Sequence, residues 1–156
     1  MKAQEIADRN IFKGEVAKGE ESYKGILIHD DQHSREAAEG TFWNLARKLA
    51  DGRRIRFEEW NWDRFGSPGF RSEVEAGMND CRLVVLAPGG IHRITTEVKL
   101  MLEAWLMHKA PLTEAILCLV YRNHDSEEDW KLFSDYLEDL CVHRGVFFCR
   151  HSLHEC

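Results

Sequence analysis

Two apolar runs, Leu83-Val84-Val85-Leu86 and Ile116-Leu117-Cys118-Leu119-Val120, constrain this chain most. Successive side chains of a strand point to opposite faces, so a strand wetted on one side alternates apolar and polar residues. These runs do not alternate. They predict strands covered on both faces, the condition of parallel sheets flanked by helices. A third run, Gly25-Ile26-Leu27-Ile28, ends abruptly in His29-Asp30-Asp31. A buried strand delivering its polar end into a crevice has this form, and in open α/β sheets ligands sit outside the carboxyl ends of the strands.

The remaining segments supply the helices between those strands. Strand one spans about 25–29. A helix follows over 34–50, with Ser34 as N-cap and Ala38, Phe42, Leu45, Ala46 and Leu49 on one face. Gly52 closes it as a left-handed cap residue. Strand two, about 54–60, alternates Ile55 and Phe57 with Arg56 and Glu58, which suits a sheet edge. A loop through Gly66, Pro68 and Gly69 leads to a short helix over 70–78. Strand three covers 82–87, and Pro88-Gly89-Gly90 breaks it. A helix over 95–108 buries Val98, Met101, Leu102, Trp105 and Leu106. Strand four covers 115–121. Ser126-Glu127-Glu128-Asp129 resembles a capping box and opens a helix whose stripe is Trp130, Phe133, Leu137 and Leu140. Strand five, 146–149, precedes a tail.

The order βαβαβαβαβ with right-handed crossovers predicts a five-stranded, parallel, doubly wound sheet in three αβα layers. The flavodoxin-like strand order 2-1-3-4-5 places strand two on an edge and the switch point between strands one and three. Residues 1–22, with few large apolar side chains, read as an N-terminal arm. Residues 23–156 read as one domain.

Net charge and cysteine usage then narrow the setting. A net charge of -6 argues against a general nucleic-acid binder, which carries a basic face. No stretch reaches the roughly 20 apolar residues of a membrane helix, and the charged N-terminus lacks a signal-peptide core. The expected location is cytoplasmic. Five cysteines, an odd number, read as reduced thiols, some of them buried.

Several constellations bear on chemistry. Asp30, Asp31, Glu58, Glu59 and Asp63 stand at the ends of strands one and two. Mg²⁺, which takes oxygen ligands, is the ion such a group would suit. A solvated acidic rim, with Asp31 or Ser34 capping the first helix, is the simpler reading, and no metal is assigned. Gly89 and Gly90, followed by His92 and Arg93, could cradle an anion through backbone N–H groups and the guanidinium. Phosphate or nucleotide is then the expected ligand, with Asp30 and Asp31 lining the same crevice. Trp60 and Trp62 follow an edge strand and form a candidate interaction surface, since tryptophan is enriched at binding hot spots; packing on the sheet edge is the competing use. Cys149, His151, His154 and Cys156 have zinc-ligand chemistry, but their spacing favours a strand end and a tail. His29 and Asp30 are strand neighbours facing opposite ways, so they make no dyad. No G-x-S-x-G, C-x-x-C, P-loop or G-x-G-x-x-G pattern occurs.

Over residues 23–150 the pattern resembles the receiver domains of two-component signalling and the TIR-like group. Asp30-Asp31 matches the metal-binding pair of receivers. Where a receiver carries its phosphorylated Asp this chain has Ala87-Pro88. It has Tyr121-Arg122-Asn123 at the receiver's Ser/Thr position, and Arg150 or His151 at its Lys position. That resemblance implies a scaffold used for protein contacts. Met78-Asn79-Asp80-Cys81 leading into strand three is similar to the TIR-like and deoxyribosyltransferase-like families, and Thr95-Thr96-Glu97 falls near their catalytic Glu. That second resemblance implies cleavage of an N-glycosidic bond, with Glu97 stabilising an oxocarbenium-like carbon. The leading expectation is a non-catalytic signalling or interaction domain with a protein partner and a homodimer as one form. The alternative is a nucleotide- or nucleoside-processing enzyme using Glu97.

Overall fold

The computed structural model describes residues 23–67, 69, 72–73, 78, 81–107, 115–122 and 127–153. β1 (Tyr23–His29) is an interior strand of its sheet, buried along nearly its whole length. On one side β1 pairs in parallel with β2 (Ile55–Asn61), and on the other with β3 (Leu83–Ala87). β4 (Ile116–Arg122) and β5 (Phe147–Leu153) extend the sheet in the order β2-β1-β3-β4-β5. The fold is flavodoxin-like, with β2 on one edge and β5 on the other.

Among the described residues three long helices cover the sheet: α1 (Gln32–Ala50), α2 (Thr96–Met107) and α3 (Glu127–Arg144). The period of two along each strand sorts the core into two halves. Ile26, Ile28, Val84, Leu86, Leu117 and Leu119 face α2 and α3, packing with Leu102, Trp105, Trp130 and Leu137. Leu27, Leu83, Val85, Cys118 and Val120 face the other way, against Ala38, Phe42, Trp43 and Ala46 of α1. β3, buried at every residue, contributes to both. Gly25 makes room for α1 on the sheet: a Cβ there would lie 2.6 Å from the ring of Phe42.

The cap of α1 is Asp31, not Ser34. Ser34 is the third helical residue, and its N–H donates to Asp31 Oδ1 at 2.8 Å. The Asp31 N–H donates back to Ser34 Oγ at 3.4 Å, completing a capping box. Starting the helix two residues earlier shortens the link from β1 to Asp30 and Asp31 alone. At the other end Asp51 takes the left-handed conformation, φ 52°, and Gly52 follows at φ 85°. The left-handed turn anticipated at Gly52 thus begins one residue sooner.

β5 runs to Leu153, beyond the expected end at Cys149, paired residue by residue with β4 through Arg122. Cys149, Arg150, His151 and Ser152 are therefore strand residues, and their side chains alternate between faces. The N-terminal arm, most of the short helix anticipated over 70–78, the Ser126 cap and the residues after Leu153 lie outside the described residues. No helix among the described residues is long and apolar enough to cross a membrane.

Candidate functional site

The chain leaves β1 for β2 on one side and returns through β3 on the other, so the ends of β1 and β3 frame the switch-point crevice. Asp30 follows β1 directly. Pro88, Gly89 and Gly90 follow β3 and lead into a single 3-10 turn, Ile91–Arg93. A second 3-10 turn, Trp62–Gly66, follows β2.

These segments meet around one carboxylate. The Gly89 N–H donates to Asp30 Oδ2 at 2.9 Å. Arg93 Nε donates to Asp30 Oδ2 at 2.7 Å and Arg93 Nη2 to Asp30 Oδ1 at 3.0 Å, a two-pronged contact. The same Nη2 also donates to Asp63. Hydrogen bonding to Asp30 first, and to Asp63 second, pushes the Arg93 guanidinium above its usual pKa, so it stays charged throughout the working pH range. Trp62 Nε1 donates to the Arg93 carbonyl at 3.0 Å and holds the turn in place. Arg93 thereby ties together loops that follow three strands.

Glycine at position 89 permits this approach. A Cβ there would lie 2.7 Å from Asp30 Oδ2. Of the residues anticipated as an anion cradle, the Gly89 N–H and Arg93 are both directed at Asp30 of the chain itself. Gly90 is buried at the start of the turn without a side-chain cap, and His92 is exposed on the turn. Asp31 turns instead to α1 as its cap and is exposed.

The other acidic residues disperse among basic partners. Glu58 lies 3.6 Å from the buried Lys24 Nζ and accepts from Trp60 Nε1 at 3.2 Å. Glu59 accepts from Arg35 of α1 and meets His29 Nε2 at 2.9 Å. Arg35 continues to Glu39 at 3.6 Å. Hydrogen bonding to Glu59 is the main cause raising the Arg35 pKa. Among the described residues no group of three or more His, Cys, Asp or Glu is placed to hold a metal ion.

Trp60 and Trp62 are not an exposed surface. They are 7% and 3% exposed and belong to the core beneath α2 and α3. Trp60 sits at an even position of β2, beside Ile28 of β1 and in the other core half from Ile55, and Trp62 packs edge-on against Phe65 at 5.3 Å. Burial of these large rings outweighs any use as a surface platform. Glu97 lies exposed in the first turn of α2 and takes no part in the Asp30 network. Arg150, anticipated after strand five, lies within it and reaches Ser134 of α3; His151 is exposed two residues beyond Cys149.

Sequence reasoning passed over the His29–Glu59–Arg35 cluster. Its signal was available. In a parallel 2-1 pairing the odd residues of β1 and β2 share a face, and α1 presents Arg35 one turn above its start.

No protein-family model and no curated protein matches the chain. Among solved structures, it is similar to the flavodiiron core of Flv1 from Synechocystis sp. PCC6803. That likeness has a TM-score of 0.52 and 10% identity, over 94% of this chain and 34% of that one. It is also similar to a flavodoxin of Streptococcus pneumonia TIGR4, with a TM-score of 0.45 and 14% identity, over 86% of this chain and 88% of that one. The chain thus spans about a third of the flavodiiron chain, and the first likeness is one of fold.

Proposed function

We propose that this protein is a non-catalytic interaction domain of the receiver-like or TIR-like kind, with a strand-end crevice that is a structural lock. One observation carries the reading: the Asp30 carboxylate takes the Gly89 N–H and both prongs of Arg93. A carboxylate so held offers few lone pairs to a metal, and Arg93 supplies a cation where a receiver-type site would bind Mg²⁺. The strand-three position that would carry a phosphoryl group is the buried Ala87.

The same arrangement disfavours a phosphate or a flavin phosphate at the β1–α1 turn. In the first turn of α1 the Ser34 N–H already donates to the carboxylate of Asp31, and Asp30 precedes it directly. The Asp31 carboxylate repels a further negative group at that turn, and it occupies one of the donors a phosphate would use. The nucleoside-processing alternative has less to stand on, because Glu97 is exposed and apart from the Asp30 network. Contacts with a protein partner fall to the outer helix surfaces, where Leu100 and Met107 of α2 and Leu132 and Val142 of α3 are exposed.

The test is an incubation with acetyl phosphate and Mg²⁺, and a parallel one with NAD and nucleosides. The expected result is no phosphoryl adduct by intact mass and no released base by chromatography. Stoichiometric phosphorylation overturns the reading. Base release abolished by Glu97→Gln does so too, and would install the enzyme alternative.

A further inference from the structure

The strand-end site uses none of the cysteines, yet two of them are brought side by side. Cys118 of β4 and Cys149 of β5 are register partners in the parallel sheet. Such partners point to the same face, and their Cα atoms stand about 4.8 Å apart. That falls inside the window of about 4.4–6.8 Å that a disulfide requires. Both thiols are free.

Their surroundings differ. Cys118 is buried in the core half beneath α1, whereas Cys149 is half-buried at its margin. α1 lies over β1, β2 and β3, and β5 is the far edge strand. Phe147, two residues before Cys149 on the same face, is 66% exposed, and His151, two residues after it, is exposed as well. A small reagent therefore has a path to Cys149. The Cys118 S–H is hydrogen-bonded to the Cys149 sulfur. This favours a thiolate at Cys149 against the opposing effect of burial, and pushes Cys118 far above the usual thiol range. A partly exposed sulfur with a depressed pKa is the profile of a reactive cysteine. Cys81 and Cys141, by contrast, are fully buried.

We propose that Cys149 and Cys118 form an oxidant-responsive dithiol site, with a small peroxide as co-reactant, Cys149 the attacking sulfur and Cys118 the resolving one. The Cys149 thiolate attacks one peroxide oxygen. The O–O bond breaks, Cys149 becomes a sulfenic acid, and the second oxygen leaves as hydroxide or alkoxide and takes up a proton. The Cys118 sulfur then attacks the sulfenic sulfur. The S–O bond breaks, the Cys118 proton leaves with the hydroxyl as water, and a Cys118–Cys149 disulfide forms. The two thiols lose two electrons, and the peroxide gains them. A dithiol reductant reverses the product.

The experiment treats the full chain with hydrogen peroxide at equimolar ratio, followed by intact mass measurement and peptide mapping without reduction. The expected product has lost two hydrogens, links the peptides that carry Cys118 and Cys149, and reverts with dithiothreitol. Cys149→Ser should abolish the link. Cys118→Val, or Cys118→Ser if the first fails to fold, should stop the reaction at a sulfenic acid that dimedone traps on Cys149. A wild-type map with no 118–149 link, or with oxidation confined to other cysteines, overturns the proposal whatever the variants do.

Discussion

The guanidinium of Arg93 meets Asp30 and Asp63, which arrive from the ends of β1 and β2. Arg93→Ala leaves Asp30 half-buried with the Gly89 N–H but without its cation. Losing a charge-assisted hydrogen bond of this kind costs about 1–3 kcal/mol, to be read as a lower urea midpoint at constant slope. Gly89→Ala should reproduce the loss by a different route, because its Cβ would displace the Asp30 carboxylate. If the pair acts as one unit, the double variant will be little worse than either single one. Full additivity would show the lock to be two separate contacts. A second residue-scale expectation concerns pH. Burial, and then the nearby Cys149 and Glu138, push the Cys141 thiol up to about 12 from its ordinary 9.0. A group with a raised folded pKa stabilises the fold fully below its unfolded pKa. That contribution is lost as pH climbs toward the folded value. Melting temperature should therefore fall between about pH 9 and pH 12, and Cys141→Ala should flatten the slope. An unchanged slope in the variant would assign the alkaline loss to other groups.

At the scale of an element, α1 shows how its first turn is set by local chemistry. Asp31 and Ser34 satisfy each other's backbone N–H groups, so the helix begins immediately after Asp30. Asp31→Ala should cost about 0.5–2 kcal/mol, the range for removing a good N-cap, visible as a lower melting temperature with the far-UV spectrum retained. Asp31→Asn or Asp31→Ser should recover most of it. Over the last described residues of α2 a longer reach operates: Arg144 of α3 donates to the Leu106 carbonyl at 3.2 Å and to the Met107 carbonyl at 2.9 Å. Arg144→Ala should loosen α2 around Leu106 and Met107, seen as faster amide exchange confined to that region. Unchanged exchange there would show that water serves those carbonyls equally well.

On the scale of the whole molecule, one sheet serves both core halves, since β3 contributes Val84 and Leu86 to one and Leu83 and Val85 to the other. Neither half can open without exposing the other face of the same strands. Unfolding should therefore be a single cooperative transition. Trp43 lies in the α1 half and Trp130 in the α2–α3 half, so variants retaining one or the other tryptophan should give coincident urea midpoints. Separate midpoints would mean that the halves melt independently.

The sequence by itself determined the layers and the strand order. Uninterrupted apolar runs admit only strands covered on both faces, and the alternation at Ile55 and Phe57 put β2 on an edge. Those are local patterns, and a period of two or of 3.6 needs no knowledge of distant residues. It also marked Asp30, Gly89 and Arg93 as belonging to one crevice, because topology carries the strand ends there. The tertiary structure alone decided what they do together. Asp30 and Arg93 are 63 residues apart, and the guanidinium could be matched to that carboxylate only once β1 and β3 lay side by side. The burial of Trp60 and Trp62 was decided the same way, by the distant side chains of the core half they join. So was the meeting of Cys118 with Cys149, because register is a property of two paired strands and no single stretch of chain contains it.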